Sequence, residues 1–172
     1  MTGRPSRHYA DFPPHPASAS EARHHVRATL TIWRLPHLID TAQLIVSELI
    51  TNAVKATTTC PVRLTLDPSP PHLLIEVWDP DPTPPSPRTP SPLDEGGRSL
   101  FLVETLAAAW GHHTTPHGKT AWCTLPTTPE NPAAPPPDPS LKSSGVSAHE
   151  GIPGPWPTAI RPSSRTPPAC ST

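Results

Sequence analysis

"QLIVSELITNAVKAT", residues 43–57, is apolar almost throughout, yet Glu48 and Asn52 stand one helical turn apart within it. Apolar residues at Ile39, Ala42, Ile45, Val46, Leu49, Ile50, Ala53 and Val54 recur with a helical period, and Pro36 suits the first position of that helix. Side chains at i and i+4 lie one above the other on a helix. A carboxylate so placed can orient a nucleophile or accept its proton, and an amide oxygen is a hard ligand suited to Mg2+. For a lone Glu/Asn pair, a polar stripe facing solvent is the better reading. The company these two residues keep decides between the readings.

The bulk properties narrow the classes. A chain of 172 residues fits one domain with a tail. A formal charge of -1 with a pI near 6.8, and basic residues dispersed without a patch, give no pointer to nucleic acid or an acidic membrane. No apolar run approaches the ~20 residues of a membrane span, and "MTGRPSRHYADFPPHP" lacks the apolar core of a signal peptide. Three cysteines, Cys60, Cys123 and Cys170, are odd in number and far apart, which argues against a disulfide scaffold and predicts a reducing cytoplasm. No Cys or His pair has zinc-ligand spacing, and no nucleophile elbow is present.

Composition divides the chain. There are 30 prolines, many of them beyond Thr127, where Pro, Ser, Thr and Ala dominate and no period of 2 or 3.6 survives. Such a segment cannot bury enough surface to offset its ordering entropy, so residues 127–172 are expected to be a disordered tail. Residues 1–17 are expected to be flexible, leaving 18–126 as the folded domain. There, "SASEARHHVRATLTIW" opens with a capping box of Ser18 and Glu21, with Ala22, Val26, Leu30 and Trp33 at helical spacing. "PVRLTLD" and "LLIEVWD" alternate as a strand pair around "PSPP", "SLFLVETLAAAW" reads as a third helix, and "GHHTT" with "KTAWCTL" as a last hairpin. The order α-α-β-β-loop-α-β-β predicts an α+β two-layer sandwich. Its sheet is mixed but mostly antiparallel, with about three helices on one face.

Three further motifs accompany Glu48 and Asn52. In "EVWDPDP", Asp79 ends a predicted strand, where a carboxylate can accept a hydrogen bond from an exocyclic amine of a base. An Asp opening a turn before Pro80 accounts for it equally well. In "DEGGRSLFLV", Gly96 and Gly97 let backbone amides approach a ligand and lead into a helix whose N-terminus attracts anions, and Arg98 adds a phosphate-pairing fork. In "PHGKTAWCTL", Thr120 places a hydroxyl on a strand.

Taken together and in this order, "SELITNAV", "VWDPDP", "EGGRSLFLV" and "GKTAW" resemble the N box, the two glycine boxes and the closing strand of the histidine-kinase-like ATPase (GHKL, Bergerat-fold) superfamily. The similarity is strongest to bacterial anti-sigma-factor serine/threonine kinases and their small actinobacterial ATP-binding relatives, and it spans Ser18 to Leu125. The resemblance implies a cytoplasmic ATP-binding regulator that phosphorylates an antagonist (anti-anti-sigma) protein with Mg-ATP and sequesters a sigma factor. It also implies a homodimer. Glu48 would be the general base and Asn52 the Mg2+ ligand. Asp79 would bond the adenine amino group and Thr120 would support adenine, while Gly96, Gly97, Arg98 and Ser99 would line the phosphates. Residues from Pro80 to Leu93 would form the lid. Two departures stand out: Pro80, Asp81 and Pro82 occupy positions usually held by glycines, and Ser99 replaces a usual glycine. The alternative expectation is a non-catalytic or weakly ATP-binding module that acts by sequestration alone.

Overall fold

Runs that alternate in sequence become strands, and runs with a helical period become helices. In the computed structural model residues 6–83, 98–115, 117–128 and 170 are described, with only the backbone described for residues 98–101. In chain order the elements are β1 (His8–Phe12), α1 (Ser18–Ile32), a 3-10 turn (Pro36–Leu38), α2 (Ile39–Lys55), β2 (Val62–Ser69), β3 (His72–Asp79), α3 (Arg98–Leu106), β4 (Ala109–Thr115) and β5 (Gly118–Pro126). The strands form one sheet in the order β1-β2-β3-β5-β4, and every neighbouring pair is antiparallel. The fold is thus the expected α+β arrangement, with a wholly antiparallel sheet among the described residues.

Register explains the two layers. Leu64 sits opposite Val77, which sits opposite Ala121; Leu66, Ile75 and Cys123 form the next such row. These side chains join Ala22, Val26 and Leu30 of α1, Val103 of α3, and the fully buried Ile45, Val46 and Ile50 of α2 in one core. Fully burying one such aliphatic side chain is worth about 1.5–3 kcal/mol. The helix-propensity deficit of an Ile or Val is at most about 0.7 kcal/mol. Burial therefore sets the helical state of α2 despite its β-branched residues.

Four expectations need correction. Residues 1–17 are not all without structure, because β1 lies there. His8, Ala10 and Phe12 alternate towards the helix layer, and Phe12 is buried. Outside, Arg63 donates two hydrogen bonds to the Asp11 carboxylate directly opposite it, at 2.6 and 2.8 Å, and Arg7 pairs with Asp67. The capping box does not form. Ser18 is the first residue inside α1, its hydroxyl donates to the Pro13 carbonyl at 2.7 Å, and Ala17 stands at the N-cap. The third helix stops at Leu106, because Ala109 and Trp110 pair with Thr124 and Cys123 as the start of β4. Lastly, Cys60 and Cys170 form a disulfide, with Cα atoms 4.6 Å apart and 110 positions between them in sequence. That removes the ground on which cysteine usage suggested a reducing compartment. Apart from Cys170, the tail beyond Thr128 lies outside the described residues, as does most of the lid segment.

Candidate functional site

The buried stripe of α2 runs through Ile39, Ala42, Ile45, Val46, Leu49, Ile50 and Ala53. At 100° per residue, Glu48 and Asn52 fall on the flank of that stripe, Glu48 half-buried and Asn52 exposed. This answers why so apolar a helix carries them: they edge the core instead of interrupting it. α2 packs against both β3 and α3.

Asp79 is the last residue of β3 and only 3% exposed. Strand alternation puts its side chain on the helix side of the sheet, with Val77. Its Oδ1 accepts two hydrogen bonds, from the Asp81 N–H at 3.0 Å and from Lys119 Nζ at 2.9 Å. No described residue donates to Oδ2. Burial pushes the Asp79 carboxyl above its ordinary range, against the opposing pull of the Lys119 ammonium. Asp81 is held below that range, first by hydrogen bonds from Thr83 and then by Lys119. Across the sheet, His112 is pushed down by burial and by the Lys119 charge.

Lys119 sits directly opposite Asp79 in the β3–β5 register, and Thr120 sits opposite Trp78 and His113. Alternation therefore sends Thr120 to the face away from the helices, and the structure does not bring its hydroxyl to Asp79. Lys119 is the residue that sequence reasoning missed. The signal was present, since "GKT" offers two polar side chains on opposite faces and only the register decides which one meets Asp79. Gly118 makes the close approach possible, with φ at +142° and the Asp79 backbone against it. Arg98 and Ser99 are the first residues of α3, their side chains outside the described set together with Gly96 and Gly97.

Residues 12–125 match the family model of the histidine kinase-like ATPase domain. No curated protein matches the chain. Among solved structures, the crystal structure of the RsbU and RsbW domains of Rv1364c from Mycobacterium tuberculosis is similar in fold, with a TM-score of 0.52 and 17% sequence identity. The match covers 71% of the present chain and 32% of that one, so the chain spans about a third of the structure it resembles. By the extent of the family match, the chain belongs to the histidine kinase-like ATPase domain family, and membership implies an ATP site.

Proposed function

We propose that the domain binds Mg-ATP between the flank of α2, the end of β3 and the start of α3. On this reading it acts as an anti-sigma-factor-type serine/threonine kinase that phosphorylates an antagonist protein and sequesters a sigma factor. The observation that carries the reading is the Asp79 carboxylate, buried at a strand end with Oδ1 filled and Oδ2 engaged by no described residue. Oδ2 is not among the buried atoms left without a partner, so it is open to an incoming donor, and the exocyclic amine of adenine is one.

The remaining roles are assigned on the chemistry of each residue. Asn52 offers an amide oxygen of the kind Mg2+ takes, on an exposed helix flank that leaves room for the ion's waters. The ion would supply charge neutralisation at the phosphates. Glu48, one turn earlier, orients the incoming hydroxyl and accepts its proton. Gly96, Gly97, Arg98 and Ser99 lead into α3, where helix N–H groups suit phosphate oxygens. Thr120 has no part in this reading. A regulator of this kind works in the cytoplasm, as a homodimer; among the described residues no helix is long and apolar enough to cross a membrane.

Calorimetry and phosphotransfer test it. Asn52→Ala should lose Mg2+-dependent ATP binding with its melting temperature unchanged, and unaltered affinity sinks the Asn52 assignment. Glu48→Gln keeps size and hydrogen bonding but removes the base, so ATP should still bind while transfer falls by roughly 10²–10⁴. Ser99, standing where relatives carry glycine, favours a second reading in which the domain acts by sequestration alone. Wild-type protein that binds its partners and never transfers phosphate selects that second reading.

A further inference from the structure

We propose that Lys119 is the positioning residue of the Asp79 carboxylate, occupying Oδ1 so that Oδ2 is the one acceptor presented to a nucleobase. The inference rests on the reading in which Asp79 meets adenine, and adds to it a residue that determines how that carboxylate is held.

The lysine is placed by register. It lies directly across the antiparallel pair from Asp79, where facing Cβ atoms are about 4.5–5.5 Å apart. Its side chain is 11% exposed, and lysine is rarely buried without partners. Here it has partners. Nζ donates to Asp79 Oδ1 at 2.9 Å and to the Asp81 carbonyl at 3.1 Å, and the Asp81 carboxylate stands 3.8 Å away. An ammonium has three donors. Two are committed and the third has a carboxylate beside it, so Lys119 is not poised to bind phosphate.

The effect on Asp79 is geometric. Oδ1 takes both the Lys119 ammonium and the Asp81 N–H, and turning the carboxylate out of this orientation would break both bonds. The oxygen left over is fixed in place and, while the group is ionised, only accepts. Such an oxygen takes a 6-amino purine and disfavours a 6-oxo purine, whose carbonyl would face it acceptor to acceptor. Protonation would blur the distinction by turning the carboxyl into a donor. Lys119 opposes that, since its hydrogen bond and charge counter the burial that favours the neutral acid. Among the described residues the other titratable groups here are Asp81, on the turn leaving β3, and His112 on β4, which the Lys119 charge itself helps keep neutral. With Pro80 and Pro82 in place of glycines, the Lys119 bond to the Asp81 carbonyl also secures the turn.

The test uses the full chain with Lys119→Met and Lys119→Arg, reading Mg-ATP and Mg-GTP binding by calorimetry between pH 5.5 and 8. The Asp79 carboxyl is also titrated by carbon NMR without nucleotide. Lys119→Met should weaken ATP binding about tenfold or more, the size expected of a hydrogen bond to a charged group. It should also narrow the ATP-to-GTP ratio and raise the pH at which Asp79 titrates, and Lys119→Arg should restore most of all three. Should Lys119→Met fail to fold, Lys119→Gln is read the same way. A folded neutral variant with an unmoved Asp79 titration and an unchanged ATP-to-GTP ratio overturns the role of Lys119 alone. Wild-type protein that binds no adenine nucleotide overturns the reading of Asp79 and this role with it.

Discussion

A Cβ placed on Gly118 would stand 2.1 Å from the carbonyl oxygen of Asp79 and 2.9 Å from Cα of Pro80. The start of β5 thus presses against the backbone at the β3 exit, and only a residue without a side chain fits. Gly118 also adopts φ +142°, a conformation that L side chains rarely take. Gly118→Ala should therefore cost at least about 1–3 kcal/mol in a denaturant melt, the usual size of such backbone strain. Because the shift falls on Asp79 itself, ATP binding should drop in the variant even at temperatures where it is fully folded. Wild-type stability in Gly118→Ala would mean that the close approach is relaxed in solution.

The end of α1 offers a gain instead of a loss. Arg34 is exposed and has φ 59°, its N–H bonds to the Thr31 carbonyl, and the Leu35 N–H bonds back to Leu30. That is the Schellman arrangement, in which the left-handed residue is usually glycine. Arg34→Gly should stabilise the protein by about 0.5–1 kcal/mol, the left-handed penalty offset in part by the freedom glycine gains on unfolding. Chemical denaturation of the two proteins side by side measures it, and a lower midpoint for the variant would show that Arg34 makes a stabilising contact.

What was legible in the sequence followed from strong periods. α2 declared itself through eight apolar positions, and the β2–β3 pair through two clean alternations. Asp79 was findable because it ends one of those alternations. What was not legible depended on pairing across the chain. β1 is five residues long with three polar or charged side chains, and its place is set by Phe12 reaching the core and by Asp11 meeting Arg63. Lys119 is an ordinary strand lysine until the β3–β5 register sets it opposite Asp79. The capping box failed because the chain before Ser18 offered its hydroxyl a nearer acceptor, the Pro13 carbonyl. The disulfide joins residues whose spacing carries no local signal.

Three histidines give the fold an acid limit. His25 stacks on His8 with ring centroids 4.8 Å apart and meets Phe12 edge-on, and its Nε2 has no partner among the described residues. Burial lowers its pKa, helped by His8, and burial likewise lowers those of His112 and His113. A histidine whose folded pKa lies below its unfolded value binds fewer protons when folded, so stability rises with pH across that interval. The melting temperature should be level above about pH 7.5 and should fall as pH drops through about 6.5 and below, where the unfolded chain takes up protons first. His25→Phe keeps a ring against His8 and Phe12 and should make the decline shallower. An equally steep decline in that variant would remove His25 from the account.

The Cys60–Cys170 crosslink makes the stability of the domain depend on its far C-terminus. It spans 110 positions, and closing a loop of that size restricts the unfolded chain enough to contribute about 2–5 kcal/mol. The third cysteine, Cys123, does not enter exchange with this bond, because it is fully buried with its thiol pushed up to about 12. The oxidised full chain should therefore melt well above the reduced chain and above Cys170→Ser. If residues beyond Thr128 contribute only through the crosslink, a chain ending at Thr128 should melt with the reduced protein and not below it. That truncation keeps the bonds from the Thr127 N–H to the Pro71 carbonyl and between His37 and the Thr127 carbonyl, so the end of β5 stays anchored. A truncated chain that melts far below the reduced one means the removed residues pack on the domain. Identical melting of oxidised, reduced and Cys170→Ser protein means the two cysteines are not joined in solution.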